Sequence, residues 1–204
     1  MKIILYPGKF KPFCDANYVV VKDILRDQTV DTVAIIISPS LKERIDPETI
    51  ADFARYIFRN EPRVEVRVDF TSNSPIKTCY DYVANNPGDE FGLVATTYDD
   101  TDTRGDQFVN YFKDREDVKV FKYNYGYDSM IKYLDGEKYE SEVSEHSVYK
   151  DLLEDNFEEF TYGFVRMYVD GKFEMNDLRQ YYATLRKNLD KYPIPEKKSR
   201  RKKK

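Results

Sequence analysis

The sequence predicts an α/β fold: a Rossmann-like, doubly wound, mainly parallel sheet with a C-terminal helical extension and a basic tail. Three observations carry this. Short apolar or β-branched runs alternate with segments of helical spacing as far as residue 121, the pattern of a parallel sheet with helical, right-handed crossovers. One of these runs, TVAIII at 32–37, is apolar almost throughout, as a strand covered on both faces must be. Beyond residue 142 the strand signals stop and only helical periodicity continues.

Each element has its own reason. The run KIILY at 2–6 ends in Pro7 and Gly8, a buried strand entering a turn. Residues 17–27 place Val20, Val21, Ile24 and Leu25 on one helical side. Residues 47–60 are amphipathic, with Ile50, Phe53, Ala54 and Ile57 on one face. At 64–70, VEVRVDF alternates, so Val64, Val66, Val68 and Phe70 share a face, a strand with one polar side near a sheet edge. Ser74 and Pro75 open a helix that runs to Ala84. Residues 91–95 read as a strand, 105–112 as a helix and 118–121 as a strand. Three helices follow at 144–153, 157–168 and 175–189, with Gly171 between the last two and Pro193 as a stop. Phe160, Phe164, Met167, Tyr168, Leu178, Tyr181, Tyr182 and Leu185 recur at helical spacing there. They serve either as packing onto the domain or as an oligomer interface.

Composition narrows the function classes. With 204 residues, 41% hydrophobic and 34% charged, the chain suits one domain, or one domain with an appendage. No apolar stretch approaches the roughly 20 residues of a membrane helix. Met1-Lys2 leads straight into a strand, so no signal peptide is expected. Two cysteines, Cys14 and Cys79, give neither a disulfide framework nor a metal quartet, and a reducing cytoplasm is expected.

Charge is unevenly placed. The formal net charge is −4, yet PIPEKKSRRKKK at 193–204 holds seven Lys or Arg against one Glu, about +6, leaving residues 1–192 near −10. The tail is either a solvated, disordered terminus or an electrostatic tether, through 197–204, to nucleic acid or an acidic protein.

In open α/β sheets ligands sit beyond the carboxyl ends of the strands, where strand order reverses. The stretch PGKFKPFCDAN after the first strand lies there, and the helix that follows would aim its first amides at a phosphate. Gly8-Lys9-Phe10-Lys11-Pro12-Phe13-Cys14-Asp15-Ala16-Asn17 resembles the first signature of the HxGH nucleotidylyltransferases, the cytidylyltransferase-like superfamily, which reads G-x-F-x-P-x-H-x-G-H. Gly8, Phe10 and Pro12 match; Cys14, Ala16 and Asn17 stand where His, Gly and His belong. SPSLKERIDPET at 38–49 is similar to the segment after the second strand in nicotinamide-nucleotide-type and phage-encoded members, with Arg44, Pro47 and Thr49 in place. FGLVATTYDDTDTR at 91–104 resembles a later strand and its Asp-containing loop. VSEHSVYKDL at 143–152 resembles the third motif, I-S-x-T-x-x-R-x-x-L: Ser144 is kept, His146 replaces Thr and Tyr149 replaces Arg.

The resemblance spans roughly residues 1–165 and implies a nucleotidylyltransferase-like Rossmann domain there, a helical extension over 166–192 and the tail over 193–204. It implies a chemistry of positioning and electrostatics, in which the two histidines and the third-motif Arg stabilise charge on the transferred phosphate. Here those places hold a weak donor (Cys14), a neutral amide (Asn17) and a phenol (Tyr149). Loss of one such electrostatic group costs about 100- to 1000-fold in rate. No catalytic residue is therefore expected at Cys14, Asn17, His146 or Tyr149, the positions of the lost motif. A vestigial nucleotide pocket is expected at Gly8, Lys9, Phe10, Lys11, Arg44 and Ser144.

Alternatives stay open at several residues. His146 is a pocket contact or a surface or capping residue. Cys14 is a nucleophile or a buried thiol. Asp99–Asp102 is a Mg²⁺ site or a polar loop, and Ser144 a motif residue or only a helix cap. Phe10, Phe13 and Tyr149 are large enough to fill the crevice themselves. The expectation is a catalytically degenerate scaffold, reused as a structural or binding component, virion- or DNA-associated in a phage, with no cofactor. Its location is then host cytoplasm or virion, with homo-oligomers or virion proteins as partners and no membrane. The alternatives are an active enzyme using Mg²⁺ and an NTP, with Lys9, Lys11, Arg44 and His146 on the phosphates, and a sensor that binds nucleotide without turnover.

Overall fold

Strand β1, Lys2–Gly8, runs through the middle of the sheet, and its side chains alternate between two separate apolar layers. The structure is a computed structural model, and it describes residues 1–70, 72, 74–96, 103–125 and 144–192. Four more parallel strands follow: β2 (Thr32–Ile37), β3 (Val64–Val68), β4 (Glu90–Thr96) and β5 (Lys119–Tyr125), in the spatial order β3-β2-β1-β4-β5. Leu5 pairs with Ala34 on one side and Leu93 on the other. Strand order therefore reverses between β1 and β4, and the ligand crevice of such a sheet lies above that pair.

Helices α1 (Asp15–Ile24) and α2 (Pro47–Ile57) cover one face of the sheet, over Ile4, Val33, Ile35 and Ile37. Helices α3 (Pro75–Ala84) and α4 (Arg104–Phe112) cover the other, over Ile3, Leu5, Ile36, Phe91 and Leu93. The period of two along each strand thus feeds two cores. Helix starts follow the sequence signals. The Asp46 carboxylate accepts from Glu48 N–H ahead of α2, Ser74 Oγ accepts from Lys77 N–H ahead of α3, and each helix has Pro at its first position. Strand β3 lies at the edge, as its alternation predicts, but stops at Val68. Asp69 turns to accept a hydrogen bond from the Thr78 hydroxyl at 2.8 Å, and Phe70 is left exposed.

The C-terminal helices are α5 (Glu145–Leu153), α6 (Phe157–Tyr162), α7 (Val165–Val169) and α8 (Met175–Lys191). The single helix expected over 157–168 is two. The Gly163 carbonyl accepts from Asp15 N–H at 2.8 Å, and a Cβ on Gly163 would meet Val148 at 2.4 Å. The Asp15 carboxylate then accepts from the N–H groups of Arg166 and Met167, at 2.7 and 3.0 Å, and so starts α7. Burial pushes this carboxyl up to about 7, against the two N–H donors. Asp170 closes the joint by accepting from the Tyr18 hydroxyl at 2.8 Å and from the Lys22 ammonium.

Helix α8 packs into the α1–α2 face. The rings of Phe53 and Tyr181 stack at 3.8 Å, and Leu178, Tyr181, Leu185 and Leu189 are buried in the same cluster as Val20 and Ile35. The aromatic stripe of the extension is thus spent on packing onto the domain. Tyr168 is the exception, exposed at the end of α7. No helix among the described residues is long and apolar enough to cross a membrane.

Candidate functional site

Gly8 ends β1 between β2 and β4, and the next six residues form the floor of the crevice. Phe10 adopts φ 50°, which folds its ring back over Gly8. A Cβ on Gly8 would lie 2.7 Å from that ring, so the glycine makes room for Phe10. Phe10 is 1% exposed, with its centroid 5.2 Å from Tyr6 and 5.6 Å from the fully buried Phe13. The space over the strand end is filled by the chain's own aromatic rings.

Helix α1 starts at Cys14, its N-cap. Asn17 reaches back, its Oδ1 accepting from Cys14 N–H at 3.0 Å and facing the Cys14 Sγ at 3.6 Å. The thiol is fully buried, and desolvation holds it well above the ordinary range, so it is an inert group. Asn17 is itself only 2% exposed. Its Nδ2 donates to Glu145 Oε1 at 2.5 Å and to the Tyr6 hydroxyl at 3.3 Å. Lys11 also acts on the Glu145 carboxylate, its backbone N–H and its ammonium both favouring the charged form. Burial raises that carboxyl above its usual value, opposed by the Asn17 and Lys11 donors.

The remaining expected residues surround this contact or turn away from it. Lys9 and Lys11 both reach Glu43 Oε1, at 3.2 and 3.3 Å. Tyr149 donates to the Glu43 backbone carbonyl at 2.7 Å, and burial lifts its phenol. Arg44, at φ 60°, sends its guanidinium to the Tyr192 carbonyl at 2.9 Å and to the Leu189 carbonyl, where it caps the end of α8. Ser144 caps α5, its Oγ accepting from Ser147 N–H at 3.1 Å. His146 is exposed and makes no hydrogen bond to another described residue. Asp99–Asp102 and the 193–204 tail lie outside the described residues.

Sequence reasoning missed Glu145 and Glu43. An acidic residue in the first turn of a helix reads as an ordinary complement to the helix dipole. Only the pairing of α1 with a helix more than a hundred residues away reveals its second role.

A nucleoside triphosphate with Mg²⁺ at this turn would meet side chains that already serve one another. It would have to displace a carboxylate from the start of α1, release two lysines from Glu43 and find room over Phe10. Among the described residues, no three of His, Cys, Asp and Glu converge on a cation site. Two shallow depressions lie elsewhere, one at the amino ends of β4 and β5 around Asp89 and Asp117, the other between α2 and α8 around Phe53 and Tyr181.

No protein-family model matches the chain, and no curated protein matches it in sequence. Among solved structures it is similar to a bifunctional NMN adenylyltransferase/ADP ribose pyrophosphatase from Francisella tularensis. The identity is 12% and the TM-score 0.53, over 91% of this chain and 52% of that one. A structure of such a bifunctional protein from the same organism, complexed with AMP and Mn ion, is 13% identical with a TM-score of 0.49, over the same shares. The chain thus spans about half the length of the solved structures it matches. The likeness concerns the fold alone: a five-stranded, all-parallel, Rossmann-like sheet with helices on both faces.

Proposed function

We propose that this chain is a catalytically degenerate nucleotidylyltransferase-fold protein, kept as a structural or binding component. The observation that carries the reading is the seating of the Glu145 carboxylate on Asn17 at the start of α1. Transfer of a nucleotidyl group requires donors aimed at developing negative charge. At this turn the donors serve an internal anion, the lysines serve Glu43, and Arg44 serves the α8 carbonyls. The chemistry of the bifunctional relatives is not carried over to this chain.

The setting we propose is a phage, with the protein in or near the virion or on DNA. The charge asymmetry supports a tether at 197–204 to nucleic acid or an acidic partner. Deleting 197–204 should abolish salt-sensitive retention on DNA; unchanged retention removes the tether.

The deciding assay is pyrophosphate release from ATP, CTP, GTP and UTP with Mg²⁺ and a panel of phosphorylated acceptors. The reading expects none. Release that disappears in a Lys9→Ala/Arg44→Ala double variant would instead assign an active nucleotidylyltransferase.

A further inference from the structure

Asp15 is tied to residues 163–167 in both directions. Its N–H donates to the Gly163 carbonyl at 2.8 Å, and its two carboxylate oxygens accept from Arg166 and Met167 N–H at 2.7 and 3.0 Å. At the far end of α7, Asp170 accepts from the Tyr18 hydroxyl and the Lys22 ammonium of α1 and pairs with Arg166 at 3.3 Å. Two carboxylates thus clamp α7 to α1, one at each end. They differ in environment. Asp170 has two cations beside it, whereas Asp15 is only 8% exposed and is held by backbone N–H groups.

We infer that this joint is a pH-sensitive clasp: charging Asp15 loosens residues 163–170 from α1 as one unit, while the sheet stays folded. Among the described residues, the titratable and charged groups around Asp15 are Cys14, Tyr18 and Lys22 of α1 and Arg166 and Asp170 of the α7 segment. Burial pushes Cys14 and Tyr18 up, away from neutrality. Against its own desolvation, Lys22 and Tyr18 hold Asp170 below the ordinary carboxylate value. Of the joint's acids, Asp15 therefore changes charge near neutral pH, where burial has lifted its carboxyl to about 7. In the loosened segment it returns to water and to its ordinary 3.8. Its stabilisation of the closed joint is complete below that value and is lost as pH climbs to about 7.

Opening would carry Phe164 and Met167, both fully buried, out of the α1–α2 face. Phe164 packs edge-on against Phe53 at 5.9 Å and lies 6.3 Å from Tyr181, so a loosened clasp also relaxes the seating of α8. The opposite core, over Ile3, Leu5 and Phe91, holds no residue from beyond 143 and can stay intact. The clasp does not depend on whether the crevice binds a nucleotide.

Amide hydrogen exchange, read residue by residue by NMR between pH 5 and 7.5 and corrected for intrinsic rates, tests this. Protection of the Arg166 and Met167 amides should fall at least about tenfold across the range and should fall below that of Leu5 in β1. In Asp15→Asn the fall at 166 and 167 should disappear. If that variant does not fold, Tyr18→Phe decides: it removes one Asp170 contact and keeps Asp15, so it should lower protection at 166 and 167, keep the pH dependence and leave Leu5 unchanged. Amides 166 and 167 that hold their protection throughout, or lose it only in step with Leu5, overturn the inference. A fall that survives in Asp15→Asn, or a Tyr18→Phe variant without the expected local loss, does the same.

Discussion

The Asn17 side-chain amide lies 2.5 Å from Glu145 Oε1, joining residues 128 apart in sequence across the start of α1. All of the Asn17 polar capacity goes into the joint: Oδ1 to Cys14, Nδ2 to Glu145 and Tyr6. The same contact ties the turn after β1 to α5. Asn17→Ala leaves a half-buried carboxylate and the Cys14 N–H without their partner. It should lower stability by about 2–4 kcal/mol in urea unfolding. A loss under about 0.5 kcal/mol would mean the contact is incidental.

Gly8→Ala tests whether this glycine serves packing. Its Cβ would sit 2.7 Å from the Phe10 ring, which Tyr6 and Phe13 hem in. Overpacking of this kind costs about 1–3 kcal/mol. The cost should largely vanish in a Phe10→Leu background, where a double-mutant cycle reads the coupling. No coupling would assign the glycine some other role.

Arg44→Ala should fray the end of α8. The guanidinium holds the Leu189 and Tyr192 carbonyls, so its loss leaves two acceptors in a half-buried place. A destabilisation of about 1–3 kcal/mol is expected, with faster amide exchange near the α8 C-terminus. Normal exchange there would show that the cap contributes nothing.

Stability should fall as pH rises from about 4 to about 7. Burial puts the Asp15 carboxyl at about 7, above its ordinary 3.8, and also raises Glu145. In this window the folded state binds more protons than the unfolded state, so each pH increment favours unfolding. Asp15 faces Arg166 and Asp170 of the α7 region as well as the two backbone N–H groups. Asp15→Asn should flatten the slope. It should also be less stable than wild type at pH 5, because its amide accepts only one of the two N–H groups. An unchanged slope would place the titration elsewhere.

Tyr181→Phe should be nearly neutral. The hydroxyl is buried beside the Phe13 backbone N–H without forming a hydrogen bond of good geometry, while the ring stacks on Phe53. Chemical denaturation should move by less than about 0.5 kcal/mol, whereas Tyr181→Ala should cost about 3–5 kcal/mol.

The sheet was legible because strand signals are local. TVAIII reads as a strand covered on both faces and VEVRV as an edge, and β2 lies inside the sheet with β3 at its edge. Helix starts at Pro47 and Pro75 were legible for the same reason. The break at Gly163 was not, because the Asp15 carboxylate that starts α7 comes from a residue 151 positions away. Of the site, the turn after β1 was readable in Gly8, Phe10 and Pro12. The partners of its polar groups were not, since Glu145, Glu43 and the α8 carbonyls reach them only through tertiary packing. Arg44 shows the limit most clearly: a motif places it, but the structure decides which carbonyls it serves.

The most direct measurement is a thermal-shift and calorimetric titration of the wild-type protein with ATP, CTP, GTP and UTP in the presence of Mg²⁺. A ligand at about 100 times its dissociation constant stabilises by about 2.7 kcal/mol, a shift of a few degrees in a domain of this size. A turn whose donors already serve Glu145 and Glu43 predicts no shift and no binding heat for any of the four. A saturable shift with a matching heat for one nucleotide would show that the crevice still reads its base and phosphates, and would contradict the account.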